Sequence, residues 1–403
     1  MTSVILKKDS LSPMKNFLEN IDETIESISF IGKEKESNIL INVVLSSQQK
    51  LSERGLKKVS LSFTADIEEL SEDVNFKINE SPENIVSFIL ASFALNEKLK
   101  FLSTPSKETA KFIYGDISFV TKVEYGNTMK ISSECTPILS FTKGEFVNHF
   151  MNTVGISTSM EWFNKKISGI NLVCNDTGAY TMVGTKAFYF KKDFTVGTFH
   201  RENSKPFIHD SGIILLKDEV IDLVISETKE DERVKICIED AVTSDEMSVN
   251  YKISIGDRAV FQFECIARKK VKDIVTSNVI PFETATPSNT LEVPTNNFKK
   301  FLLAFKNNPM FLNEVVNLEF NSEKGVLNIK PVDSANISFE YAISNCKIKK
   351  DTSFFLNFFV LENIISKSNS EMITFFEKKE NTNRVIISDG ENNFIVGKTV
   401  KQQ

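Results

Sequence analysis

The sequence predicts an α+β protein in which one structural unit recurs three times, each unit packing two amphipathic helices on antiparallel strands. Three observations predict it. Helix pairs begin near Leu11 and Ser81, near Thr142 and Leu215, and near Thr295 and Leu356. The members of a pair lie roughly 60–75 residues apart and successive units start about 130–150 residues apart, a fixed-period self-similarity that sets architecture before any single motif does. Strand-like runs outnumber helices by about three to one in each unit. Each helix has one apolar face, and two such faces bury most simply side by side on one antiparallel sheet. The 403 residues accommodate three domains of ordinary size. They are expected at 1–134, 135–274 and 291–403, with a linker at 275–290.

In the first unit Met14, Phe17, Leu18, Ile21 and Ile25 recur at helical spacing behind Ser12-Pro13, an N-cap and first-turn proline. Alternation predicts strands at 39–44 and 59–63. Ser81-Pro82-Glu83 opens the second helix, with Ile85, Phe88, Ile89 and Leu95 on one side. Strands at 111–114 and 117–120 then flank a Gly115-Asp116 turn. In the second unit Thr142 and Glu145 have capping-box spacing, ahead of an apolar stripe of Phe146, Val147, Phe150 and Val154. Strands follow at 169–173 and 179–183, and a helix carries Leu216, Val220, Leu223 and Val224. Strands at 234–238, 249–255 and 259–266 close the unit. Pro281, Pro287 and several Thr and Ser mark the linker. Thr295 is expected to cap the fifth helix, with Phe298, Phe301, Leu302 and Phe305 inward, and Phe358, Leu361, Ile364 and Ile365 line the sixth. Strands are predicted at 315–320, 326–329, 372–376, 384–387 and 394–396.

A net charge of −6 argues against indiscriminate coating of nucleic acid, which needs a basic surface. It leaves room for lysines gathered on one face. The start of the chain turns charged at once, and no apolar run approaches the ~20 residues of a membrane span, so neither a secretory signal nor a membrane partner is expected. Cys135, Cys174, Cys237, Cys265 and Cys346 are scattered and never form a CxxC pair; free thiols in a reducing cytoplasm are the simplest reading. Catalytic signatures are missing. There is no P-loop and no GxGxxG, and Gly155-Ile156-Ser157-Thr158-Ser159 lacks the final glycine of a nucleophile elbow. His149 has no HExxH partner, and His200 and His209-Asp210 have no ligand set at metal spacing. A non-enzymatic protein without cofactor or metal is expected.

Several local patterns carry a family resemblance. Leu291-Glu292-Val293-Pro294 runs into Asn297-Phe298-Lys299-Lys300-Phe301-Leu302, and the chain closes with Ile386-Ile387-Ser388-Asp389-Gly390 and Phe394-Ile395-Val396-Gly397-Lys398-Thr399-Val400. Ser157-Thr158-Ser159 through Ile167-Ser168-Gly169-Ile170 adds a loop and strand in the second unit. These stretches and the order of elements resemble the bacterial replicative sliding clamp, the β subunit of DNA polymerase III. The resemblance covers most of 135–401 and fades over 1–134, where only element order matches. The chain departs from the family at Val183-Gly184-Thr185-Lys186-Ala187-Phe188-Tyr189, where clamps usually have Ala-Thr-Asp-Gly-His-Arg-Leu, and at Ile274-Val275-Thr276, where they have Pro-Asp-Tyr. A divergent, phage-type member is the expectation.

The resemblance implies clamp-type domains, helices lining a central hole, and head-to-tail protomers closing into a homodimer ring around double-stranded DNA. It also implies partners that bind by short linear motifs, a DNA polymerase and a clamp loader. The DNA-facing residues expected on or beside the helices are Lys98, Lys100, Lys143, Lys217, Lys299, Lys300, Lys306 and Lys367, with Lys15 in the first; solvated helix faces are the alternative. Glu19, Asp22, Glu23 and Glu26 make the first helix acidic. Lys165 and Lys166, beside Trp162 and Phe163, form a basic and aromatic cluster able to hold a strand end, or else an exposed loop with a buried Trp. By carry-over, the peptide pocket comprises Ile167, Gly184, Ala187, Phe188 and Tyr189, completed by Val279, Phe394 and Val396. Plain core packing is the competing reading, above all for Ile167 and Val396. Two other functions stay open: a clamp-derived module that recruits transcription or repair proteins without encircling DNA, and a structural viral protein.

Overall fold

The computed structural model describes residues 2–12, 14–16, 24–45, 56–94, 98–126, 136–150, 170–175, 178–184, 188–194, 197–200, 213–216, 218–242, 247–266, 286–306, 315–331, 340–379 and 383–399. Five α-helices have both ends among them, α1 (Pro82–Ala94), α2 (Lys143–Phe150), α3 (Asp218–Glu227), α4 (Thr295–Phe305) and α5 (Phe358–Ile365), and Ser12 and residues 14–16 are helical as well. All strand pairs are antiparallel, as the α+β reading requires.

The chain divides into two units that do not follow its linear order. One comprises Met1–Asn148, Thr195–His209 and Glu219–Ala267; the other comprises His149–Phe194, Asp210–Asp218 and Arg268–Gln403. The first unit is built on a 13-stranded sheet. In it, strand Ala259–Ile266 pairs with Leu56–Leu70, setting Ala259 opposite Phe63 and Phe261 opposite Leu61. Leu56–Leu70 pairs in turn with Thr2–Leu6 and Asn38–Leu45. The sheet ends in Leu99–Thr104, Thr109–Tyr114 and Ile117–Lys122. Phe30, Phe76, Phe101 and Phe112 meet in its core with ring centroids 5.1–5.7 Å apart. Each ring so buried stabilises by about 1.5–3 kcal/mol, which is how a chain with 34 Phe builds its interior.

The second unit holds a nine-stranded sheet. Its order is Ile213–Leu216, Ile170–Asn175, Gly178–Gly184, Phe188–Asp193, Asn393–Gly397, Arg384–Ser388, Met372–Lys378, Pro287–Pro294 and Lys347–Ile348. A four-stranded sheet adds Tyr341–Ile343, Val326–Pro331, Val315–Asn321 and Thr352–Asn357. Helices α4 and α5 pack through Phe301 and Phe358, whose rings meet edge to face at 5.9 Å. Phe298 reaches Phe375 of the nine-stranded sheet at 6.3 Å.

Local signals set the element starts. The Thr142 amide donates to the Glu145 carboxylate at 2.7 Å and the Glu145 amide donates back to Thr142 Oγ1 at 3.3 Å, a closed capping box on α2. Pro82 opens α1 where its missing N–H costs nothing. Gly115, at φ 51, supplies the left-handed residue of the two-residue hairpin between Tyr114 and Ile117.

Five details correct the sequence reading. Ile25, assigned to the first helix, begins strand Ile25–Gly32 and faces Leu45; Phe17, Leu18 and Ile21 lie outside the described residues. Leu215 and Leu216 end strand Ile213–Leu216, so α3 starts only at Asp218. Thr295 is not a cap: it is the first residue of α4, its hydroxyl buried without a hydrogen-bond partner. Cys237 is disulfide-bonded rather than free, whereas Cys346 is a free buried thiol whose pKa burial pushes up to about 11. Strand Pro287–Pro294 also begins inside the stretch read as linker. Among the described residues no helix is long and apolar enough to cross a membrane.

Candidate functional site

Each helix buries one face and leaves a narrow stripe to solvent, and the stripes differ in charge. On α1 the exposed residues are Glu83, Asn84 and Ser87. On α2 they are Gly144, Glu145 and Asn148, with Lys143 half-buried. On α3 the exposed residues among those whose side chains are described are Asp222 and Ser226. Helix α5 is almost wholly buried, and its one charged residue is Glu362. Helix α4 stands apart: Asn296, Lys300, Leu303 and Ala304 are exposed, Lys299 is half-exposed beside them, and Leu303 is 70% exposed.

The lysines expected to meet DNA fall into groups. Lys98 is bound to Glu68 at 2.8 Å, Lys143 to Glu230 at 3.3 Å and Lys306 to Glu362 at 3.0 Å. Lys100 sits mid-strand on Leu99–Thr104, opposite Ile5 and Ile113, and is half-buried. Lys367 and Lys15 are half-buried and already engaged. Lys299 and Lys300 make no ion pair with any described residue. Lys165, Lys166 and Lys217, with Trp162 and Phe163, lie outside the described residues.

The expected peptide pocket is partly assembled by strand register. Strand Phe188–Asp193 pairs on one side with Gly178–Gly184, setting Tyr189 opposite Gly184. On its other side it pairs with the C-terminal strand Asn393–Gly397, with Phe188 opposite Val396 and Phe190 opposite Phe394. Five of the eight expected residues therefore stand on three adjacent strands. The rings of Phe190 and Phe394 stack at 4.8 Å. Phe394 and Val396 are only 2% and 1% exposed, so the core-packing reading describes their side chains. Ile167, Ala187 and Val279 lie outside the described residues.

Buried polar contacts hold the C-terminal strand in place. Lys398 Nζ bonds the Glu377 carboxylate at 2.7 Å and lies 5.0 Å above the Phe354 ring. Burial opposes ionisation of Glu377, but the bonds from Lys398 and Asn289 outweigh it and hold its pKa below the usual range. Against strand Gly178–Gly184 of the same sheet, His149 Nε2 lies 2.8 Å from Thr181 Oγ1 and its ring stacks on Phe194 at 4.1 Å. Burial, aided by the charge of Lys192, lowers its pKa to about 3, so the imidazole is neutral at physiological pH. Lys398, Glu377 and His149 carry no local signal that marks them in advance; their partners are remote in sequence.

One edge of the first unit's sheet has no neighbouring strand among the described residues. Strand Ile117–Lys122 pairs only with Thr109–Tyr114 among the described residues, and on it Ile117 and Val120 are 49% and 58% exposed. At the other end of the path, strand Pro137–Thr142 is covered: the Ser140 amide donates to Thr198 O at 2.9 Å and the His200 amide to Ile138 O at 2.8 Å.

Solved structures share this architecture from end to end. The β chain of DNA polymerase III from Streptococcus pneumoniae matches with a TM-score of 0.69 at 12% identity, over 99% of this chain and 100% of that one. The chain has the sliding-clamp fold. The β subunit from Borrelia burgdorferi, solved in complex with a natural product, gives 0.68 at 12% identity over the whole of both chains. The sliding clamp of Pseudomonas aeruginosa, solved with a ligand, gives 0.66 at 11% over 99% and 100%. The clamp-fold likeness thus includes residues 1–134, where the sequence resemblance fades. The sequence matches no protein-family model and no curated protein at significant similarity. Sliding-clamp architecture survives such divergence because a core tolerates wholesale exchange of apolar residues when volume and patterning are kept.

Proposed function

We propose that the chain is a DNA sliding clamp, a processivity factor that encircles duplex DNA and tethers replication proteins. Its whole-length likeness to polymerase III β subunits carries this reading. The mechanism is topological and needs no chemistry from the protein: a polymerase held on an encircling ring rebinds at high local concentration when it lets go. Three domains, 1–134, 135–274 and 291–403, supply half of a ring of two chains. Ring closure requires a heterologous head-to-tail contact whose rotation closes. Strand Ile117–Lys122 supports it, because an edge with no neighbour among the described residues and with Ile117 and Val120 exposed is a feature soluble monomers suppress. Polymerase and clamp-loader motifs dock against the strands carrying Gly184, Phe188 and Tyr189, beside Phe394 and Val396, with Ile167, Ala187 and Val279 completing the pocket.

Negative-stain images with solution mass from light scattering on the same sample test this directly. The expected result is a ring with a central hole and the mass of two chains. A monomer at all concentrations would refute constitutive closure. The pairing of Lys98, Lys143 and Lys306 with carboxylates favours a second reading, a clamp-derived module that recruits transcription or repair proteins without encircling DNA. Retention on circular but not on linear DNA separates the two.

A further inference from the structure

Cys237 is bonded where a free thiol was expected, and strand register narrows down its partner. The other cysteines are Cys135, Cys174, Cys265 and Cys346, and Cys346 is free. A disulfide needs Cα atoms within about 7 Å of each other. Cys265 lies on strand Ala259–Ile266, which is separated from Arg233–Val242 by strand Met247–Ile255. Two strand spacings are about 9.5 Å. Cys265 is offset along the sheet as well, because it pairs with Val249 whereas Cys237 pairs with Lys252, so it is out of reach. Cys174 stands on Ile170–Asn175, in the nine-stranded sheet of the other unit. Cys135 lies outside the described residues but only two positions before Pro137, which stands directly opposite Cys237. Two residues of chain span at most about 7 Å, and diagonal neighbours on paired strands lie about 7–8 Å apart. Cys135 is thus the cysteine that connectivity itself keeps beside Cys237.

We propose that Cys135 and Cys237 form a covalent staple that fastens the end strand Pro137–Thr142 to the 13-stranded sheet. That strand is the last on its path, its register already shifts between Pro137 and Leu139, and its ladder runs out at Pro137, which has no N–H to donate. A bond from Cys135 takes over where the hydrogen bonds stop. Cys135 also opens the second of the three proposed domains, so the staple pins the entry of that domain in a monomer and in a ring alike. The oxidant is a low-molecular-weight disulfide. One cysteine thiolate attacks it, giving a mixed disulfide and releasing one small thiol; the second thiolate attacks the mixed disulfide, closing the protein bond and releasing the other. Two protein thiols are oxidised, and the small disulfide is reduced to two thiols that carry off both protons. Cys237 is 1% exposed. Exchange therefore takes place before the sheet closes over it, and the same burial afterwards bars a reductant from its sulfur. So shielded, the bond persists among reducing thiols until the strand opens.

The test is peptide mapping of the full chain, unfolded in denaturant with an alkylating agent and digested without reductant. The expected product is a cross-linked pair of peptides holding Cys135 and Cys237, with Cys174, Cys265 and Cys346 alkylated. Alkylated Cys237, or Cys237 joined to Cys174 or Cys265, overturns the proposal. Folded chain held in a thiol reductant should retain the cross-linked pair, and adding urea should release it; release at the same rate with and without urea overturns the protection by burial. Thermal unfolding without reductant reads the staple separately. Cys135→Ala should lower the Tm by about 5–15 °C, the scale of a bond that closes a loop of roughly 100 residues. Wild type refolded in reductant should lose a similar amount. A Cys135→Ala chain that melts with the oxidised wild type would show that no staple acts there.

Discussion

Replacing Val120 with lysine should take the ring apart while leaving the protomer folded. Val120 is 58% exposed on edge strand Ile117–Lys122, so over half of its surface is free to be buried by a second chain. Full burial of a valine stabilises by about 1.5–3 kcal/mol, so the remaining fraction is worth about 1–1.5 kcal/mol at the interface. A lysine forfeits that and adds the cost of leaving a polar group without a partner, about 1–3 kcal/mol after its stem bends the ammonium toward water. The total of about 2–4 kcal/mol weakens each contact by roughly 30- to 1000-fold. Sedimentation velocity over a concentration series reads this as a shift from dimer to monomer where the wild type remains dimeric. The protomer itself should lose no more than about 0.5 kcal/mol, because the site is exposed within one chain. Unchanged association, with the variant folded, would show that Ile117–Lys122 is not the closing edge.

Other outcomes follow from the same geometry. Arg258 bonds Glu232 at 3.3 Å and Glu227 at 3.4 Å, and the Glu227 side chain is almost wholly buried. Arg258→Met should cost about 2–3 kcal/mol in urea unfolding, at or below the low end for a broken buried pair because the arginine is partly solvated; Glu227→Gln in the same chain should recover part of it. His149 has its pKa lowered from 6.5 to about 3, so the unfolded chain binds more protons between those values. Stability is then complete above pH 6.5 and falls on acidification by about 1.4 kcal/mol per unit; His149→Gln should flatten this dependence in urea midpoints measured from pH 7 to 4.5, and an unaltered slope would assign it elsewhere. Phe188→Ala or Tyr189→Ala should weaken a polymerase-derived peptide about tenfold by calorimetry, the scale of one lost anchor, with the ring intact. Equal binding would remove both from the pocket.

Features with a local cause were legible in the sequence. The capping box of Thr142 and Glu145, the Pro82 start of α1, the hairpin at Gly115 and strand 259–266 are all found where spacing and turn chemistry put them. Each depends on groups within a few residues of one another. Where two periodicities overlapped the reading slipped: Ile25 continued a helical register but begins a strand, because its pairing with Leu45 decides the matter from outside the window. Burial of Thr295 was equally out of reach, since a distant segment covers it, whereas the core packing of Val396 was already one of the two readings its sequence offered.

By itself the sequence determined the α+β class, the helices and hairpins in order, and the clamp-like ends of the third unit. Only the tertiary structure decided how strands were shared out. It joined Ala259–Ile266 to Leu56–Leu70 and Phe188–Asp193 to Asn393–Gly397, so residues that read as one middle unit contribute to two different sheets. It also decided which lysines are paired and which edge has no described neighbour. The physical reason is common to all three. Capping, turns and amphipathic periodicity are energies of neighbours along the chain, whereas strand pairing, ion pairing and exposure depend on segments up to two hundred residues apart, about which no local window carries information.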